Sequence, residues 1–150
     1  MLIDGGLQLD WQHAITSSTT SNGVGGQGYI QFNEASNDPS NTMYRAYPNP
    51  GYLVVLVTTT FAGGTSLDIQ FQSARDSAFS TNLITHYDTG AVATANLTAG
   101  TAWIYPLPTN LQEFVRMNYV VVGTMTAGAV SAFIVEDARI SEFTGNLSGQ

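Results

Sequence analysis

At 150 residues with 43% hydrophobic content, the chain has the size of one domain with a substantial core. A net charge of −7, with four arginines and no lysine, excludes the basic stripe that phosphate neutralisation requires, so neither nucleic acid nor an anionic membrane surface is an expected partner. The absence of cysteine excludes disulfides, thiolate metal sites and cysteine nucleophiles, and it fits folding in a reducing cytoplasm.

Charged residues make up only 10% of the chain, and Thr, Ser, Asn, Gln and Gly take their place. Such a neutral polar surface suits β structure and contacts with other proteins. The opening residues show neither the basic nor the apolar region of a signal peptide, and no stretch approaches the ~18 apolar residues of a membrane span.

Residues 1–11 mix apolar Leu2, Ile3, Leu7, Leu9 and Trp11 with Asp4 and Asp10. The alternation of Leu7, Leu9 and Trp11 with Gln8 and Asp10 predicts a short strand. Two readings stand: an edge strand that pairs within its own domain, or an arm that docks on a partner. Residues 16–28 form a polar loop in which Gly23, Gly25 and Gly28 satisfy the dinucleotide spacing G-x-G-x-x-G. That motif works only between a strand and a helix N-terminus. Here a Ser/Thr tract precedes it and strand-like residues 29–32 follow, so it reads as a flexible turn.

Residues 33–51 are irregular and rich in Asn, Asp and Pro, with Met43, Tyr44, Arg45 and Tyr47 among them. Aromatics beside arginine in a loop are what protein interfaces favour; the competing reading folds the tyrosines over the sandwich edge. The oxygen ligands here lack the dense spacing of a calcium loop. Residues 52–57 then run almost continuously apolar, as in a strand buried on both faces. Residues 67–72 alternate, with Leu67, Ile69 and Phe71 opposing Asp68, Gln70 and Gln72. Gly63 and Gly64 between them supply the positive φ of a reversal, so the stretch reads as a β-hairpin nucleus.

Residues 73–80 read as one helical turn, with Phe79 plugging the end of the core. Strand patterns follow at 82–87, at 103–108, where Pro106 and Pro108 indicate an edge or a strand end, and at 113–122. In the last of these Val115, Met117, Tyr119 and Val121 oppose Phe114, Arg116, Asn118 and Val120. A buried run at 129–135 precedes a polar tail, 137–150. With about seven to nine strands and no helical periodicity, the expected fold is a single all-β domain over 1–150, an antiparallel jelly-roll-like sandwich.

Signals for catalysis are thin. His13 and His86 have no metal-ligand spacing, and there is no G-x-S-x-G elbow. His86 reads as structural, no two carboxylates stand out as a glycosidase pair, and neither an enzymatic activity nor a cofactor is expected. Edge strands are commonly protected by lysine, which this chain lacks, so its edges call for loops or partners.

From Gly51 onward the sequence resembles the cement (decoration) proteins of tailed-bacteriophage capsids. The resemblance rests on Tyr52-Leu53-Val54-Val55-Leu56-Val57, Phe61-Ala62-Gly63-Gly64-Thr65-Ser66-Leu67, Asp76-Ser77-Ala78-Phe79-Ser80, Leu97-Thr98-Ala99-Gly100-Thr101 and Leu107-Pro108. It continues through Arg116-Met117-Asn118-Tyr119-Val120-Val121-Val122-Gly123-Thr124-Met125-Thr126-Ala127-Gly128-Ala129-Val130, in order and over about two-thirds of the chain. Asp10-Trp11-Gln12 is similar too, whereas the stretch 33–50 is longer than the family pattern.

The resemblance implies a jelly-roll dimer or trimer made in the bacterial host cytoplasm and placed on the capsid exterior of the virion. There it would span junctions of the major capsid protein and stabilise the shell. The rival expectation is a carbohydrate- or receptor-binding jelly roll of a phage tail or fibre, with Trp11, Trp103 or tyrosines as stacking platforms. The expected partner contacts are Leu2, Ile3 and Leu7 in the arm and Tyr44, Arg45 and Tyr47 in the loop. Removing the first nine residues is expected to weaken capsid attachment, measured by co-sedimentation, more than it lowers the melting temperature; equal losses would identify a core strand.

Overall fold

A computed structural model describes residues 8–23, 26–32 and 51–135. Among the described residues ten strands form two sheets: β1 (Gln8–Ala14), β2 (Thr19–Thr20), β3 (Ile30–Gln31), β4 (Tyr52–Gly63), β5 (Ser66–Ala74), β6 (Ile84–Asp88), β7 (Val92–Ala93), β8 (Ala102–Pro106), β9 (Phe114–Val122) and β10 (Met125–Val135). The first sheet has the order β1-β10-β4-β8. The second has the order β2-β9-β5-β6, with β3 also on β9 and β7 also on β5. Every pairing is antiparallel. Taking β2 with β3 and β6 with β7 as single positions gives the eight-position order of a jelly roll.

The fold is built on one bent ribbon. β4 pairs with β10 in the first sheet, and β5 pairs with β9 in the second. The chain passes from β4 to β5 through Gly63-Gly64-Thr65, and from β9 to β10 through Gly123-Thr124, at the same corner. Met125 stands opposite Gly63, and the Thr65 N–H donates to the Val122 carbonyl (2.7 Å), so the pairing continues around the bend. The sequence reading of residues 52–72 as a hairpin is therefore corrected: β4 and β5 lie in different sheets and do not pair. The Gly-Gly reversal is real, but its strands separate across the core because each has a better partner 40 or more residues downstream, as in Leu67 with Val121 and Leu53 with Ile134.

Two-sided burial of β4 follows from its place between β10 and β8. Leu53, Val55, Val57 and Phe61 face the core with Val130, Ala132 and Ile134 of β10, and meet Leu67, Ile69, Phe71, Val115, Met117 and Tyr119 of the second sheet. Val54, on the other face of β4, packs with Phe133 and Val135 and with Tyr52 and Ile104 in a second apolar cluster. β9 alternates as its sequence predicts, with Val115, Met117 and Tyr119 fully buried.

The first strand departs from its predicted alternation. Leu9 is buried as expected, but Asp10 is buried beside it and Trp11 is 59% exposed. Two register shifts against β10 and a left-handed Gln12 (φ 46°) rotate the strand within a few residues. Residues 73–80 are likewise not helical. β5 runs on to Ala74, and a tight turn follows in which Phe79 is buried as predicted, but with φ 55°. The glycine spacing at 23–28 leads into β3, not into a helix, in accord with its reading as a turn. The predicted arm residues 1–7, the loop 33–50 and the tail 137–150 lie outside the described residues.

Glycine is required at the corner. Gly123 has φ 86°, and a Cβ there would come within 2.9 Å of the Gly64 Cα, a backbone atom that cannot yield without moving the second turn. Gly123→Ala is expected to cost about 2–4 kcal/mol through left-handed strain plus this clash, measured as a lower urea midpoint at unchanged m-value. A cost under about 0.5 kcal/mol would show that the two turns are not interlocked.

Candidate interaction surface

The side chains with chemistry fall into three groups, each placed by the sandwich geometry. The first closes the seam between β1 and β9. Asp10 Oδ1 accepts the Asn22 N–H (2.8 Å), and Oδ2 accepts the Tyr119 hydroxyl (2.6 Å). The Nδ1 of His13 lies 2.9 Å from Asp10 Oδ1, at ion-pair distance but off the line of a hydrogen bond. Burial pushes the Asp10 carboxyl above its ordinary range, against the pull of the Tyr119 and Asn22 donors. Tyr119 is pushed well above its ordinary value, by burial first and then by the neighbouring carboxylate. Together with Gly23 N–H to Leu9 C=O (2.8 Å), this network ties the first sheet to the second.

The second group is a serine–histidine contact. Ser73 Oγ on β5 lies 2.6 Å from His86 Nε2 on β6 and accepts the Gln112 N–H (3.2 Å). The Gln112 amide also donates to the carbonyls of Ser73 and Asn82. Ser73 is fully buried, and burial holds the His86 imidazole below its ordinary pKa. The hydroxyl fastens the backbone at Gln112 to the sheet.

The third group covers the outer face of the second sheet. Because Phe114, Arg116, Asn118, Val120 and Val122 alternate outward along β9, they line up beside Gln72, Gln70 and Asp68 of β5. A chain of side-chain hydrogen bonds crosses the strands: Arg116 Nε to Gln72 Oε1 (3.0 Å), Gln72 Nε2 to Gln70 Oε1 (3.2 Å), Asn118 Nδ2 to Gln70 Oε1 (2.8 Å) and Gln70 Nε2 to Asp68 Oδ2 (3.0 Å). Asp68 is raised by burial and then by its neighbour Asp88, while the Gly90 N–H holds Asp88 low. The face is polar, with a guanidinium toward one end, carboxylates toward the other, and exposed Val120 and Val122 beside them. Such a surface suits contact with another protein more than enclosure of a small molecule.

The model of the Bbp16 family matches residues 12–134, from within β1 to within β10. The chain belongs to the Bbp16 family. No curated protein matches it. The Bbp16 match spans both sheets, the corner and all of the outer polar face just described.

Of the partner contacts expected from sequence, Leu2, Ile3 and Leu7 precede the Bbp16 match. Tyr44, Arg45 and Tyr47 fall within it, and all six lie outside the described residues. Leu9, which follows the arm, is fully buried in the core. A deletion that separates attachment from folding must therefore stop at residue 7, since removal of nine residues also cuts into β1. The polar face of the second sheet was visible in the alternation of residues 114–122. Its cross-strand network was not, because it depends on the register of β5 against β9.

A carboxyl whose folded pKa lies above 3.8 favours the fold in its protonated form; that contribution is complete below pH 3.8 and is lost as the pH rises through the raised value. Asp10→Asn removes this titration. Wild-type stability relative to Asp10→Asn is expected to fall across that window, read as urea midpoints at a series of pH values. A difference that does not change with pH would show that Asp10 titrates as an ordinary exposed carboxyl.

Proposed function

We propose that the chain is a structural virion protein: a cement, or decoration, protein. In this reading it binds the outside of a bacteriophage head across junctions between major capsid protein subunits, associates with itself as a dimer or trimer, and performs no catalysis. The observation that carries the reading is the collinear resemblance, now placed on the fold. Its pieces 52–57 and 61–67 lie on β4, the first crossing turn and the start of β5, and its longest piece, 116–130, runs from β9 through the second crossing turn into β10. The jelly-roll order, the neutral polar composition and the broad outer face support it, because repeated shallow contacts on a lattice give strong attachment without a pocket.

One observation favours the rival reading, a carbohydrate- or receptor-binding module of a phage tail or fibre. Trp11 is 59% exposed on the edge strand β1, as a sugar-stacking platform must be. The other aromatics are less suited to that role: Trp103 packs against the core, and Tyr87 and Tyr105 stack on each other at 4.4 Å.

The deciding experiment mixes the purified protein with expanded heads that lack it. The cement reading expects co-sedimentation and a rise in the temperature at which the shells open. A folded protein that neither sediments with the shells nor protects them would sink it. Glycan-array binding lost in Trp11→Ala would establish the rival.

A further inference from the structure

Arg116 is placed with unusual care for a surface residue. Its Nε–H is committed to Gln72 Oε1, and its guanidinium carbon lies 4.2 Å from the centre of the Phe79 ring. Phe79 reaches that position from a left-handed backbone (φ 55°), a conformation that residues with a side chain rarely adopt. The turn that imposes it is pinned by Asp76, which accepts the Thr81 N–H (2.7 Å), the Ser80 N–H (3.1 Å) and the Ser80 hydroxyl (2.7 Å). The Tyr29 ring lies near Phe79 (6.4 Å between centroids) and meets Phe114 edge-on at 5.3 Å, which walls the other side.

The guanidinium is thus held from below and along its Nε edge, and its two Nη amino groups have no hydrogen-bond partner among the described residues. Five carboxylates lie among the described residues, those of Asp10, Asp68, Asp76, Asp88 and Glu113, and none of them stands at ion-pair distance from the Arg116 guanidinium. Burial holds the Arg116 pKa below its ordinary value, with no carboxylate to offset the desolvation. A partly buried arginine that is stacked on a ring and hydrogen-bonded at Nε has fewer conformers to lose on pairing than one extended into solvent. This is the state in which a bidentate ion pair is most favourable.

We propose that Arg116 is a preformed anchor for a carboxylate side chain of the protein on which the outer face of the second sheet docks. The assignment rests on the cement reading for the partner being a shell protein. The local chemistry selects a single carboxylate over a phosphate chain: Arg75 is the only other cation among the described residues, and a net charge of −7 repels a polyanion. Exposed Val120 and Val122, farther along β9 on the same face, supply apolar surface of the kind that surrounds such an anchor in an interface.

Two measurements test this. Arginine side-chain ¹⁵N spectra of the free protein, titrated with sodium acetate, are expected to show a saturating shift of the Arg116 Nη signals that neither Arg75 nor an equal concentration of sodium chloride reproduces. An Arg116 response no different from that of Arg75, or a larger response to inorganic phosphate than to acetate, would overturn the assignment. On expanded heads, Arg116→Lys keeps the charge but loses the fork, and is expected to weaken co-sedimentation about tenfold with little change in melting temperature, while Arg75→Lys binds as wild type. Wild-type attachment retained in Arg116→Lys would refute the anchor. Failure of the wild type itself to attach would instead refute the cement reading and leave the acetate titration to judge Arg116.

Discussion

Everything in this sandwich depends on two chain reversals occupying one corner. The β4–β5 and β9–β10 crossings lie against each other so closely that the Cα of Gly64 fills the place a side chain at Gly123 would need. Their contact lets a single two-stranded ladder pass from one sheet to the other, with its register shifts gathered beside the bend at Met125–Val130. Once that bend is fixed, the separation of the sheets is fixed with it, and the inward residues of β4, β5, β9 and β10 have only one arrangement in which to interdigitate. The other strands are added to a frame whose dimensions are already set.

The two open sides of that frame are closed by different means. Between β6 and β8 the closure is aromatic: Tyr87 and Tyr105 stack nearly parallel, and the Tyr87 hydroxyl donates to the Pro106 carbonyl. Between β1 and β9 it is polar and buried, through Asp10, Tyr119 and Asn22. A buried polar closure is demanding, since each lone pair left unmatched costs more than an apolar contact would gain. In return it fixes one register for a strand whose hydrophobic pattern specifies little, because only one alignment brings the Asp10 carboxylate to the Tyr119 hydroxyl.

The sequence made the architecture legible wherever alternation was clean. Val115, Met117, Tyr119 and Val121 declared the inner face of β9, and residues 52–57 declared a strand covered on both sides. Alternation is local, however, and says which face a residue takes, not which strand lies beside it. For that reason Gly63-Gly64 suggested a hairpin where the fold makes a crossing, and Asp10 was assigned outward where a partner 109 residues away draws it in. The Arg116–Phe79 pair was hidden for the same cause. Phe79 was recognised as a plug for the core, but its left-handed backbone and its partner on β9 come from the turn around Asp76 and the packing of β3 and β9. No periodicity encodes those.

The pairing of β1 with β10 also has a consequence for the order of events during synthesis. β1 is the first described strand to leave the ribosome, and it lies on the last, with the Gln12 N–H bound to the hydroxyl of Ser131 across 119 residues. At about 5–20 residues per second, on the order of ten seconds pass before that partner exists. During this delay Leu9 and Ile15 have no sheet to cover them, and a regular apolar strand would pair with another nascent chain. The charge of Asp10 works against such pairing, because a second chain would have to take it up without the Tyr119 hydroxyl that receives it in the fold. The carboxylate that made this strand hard to read is therefore also the group that makes a wrong partner costly until its own arrives.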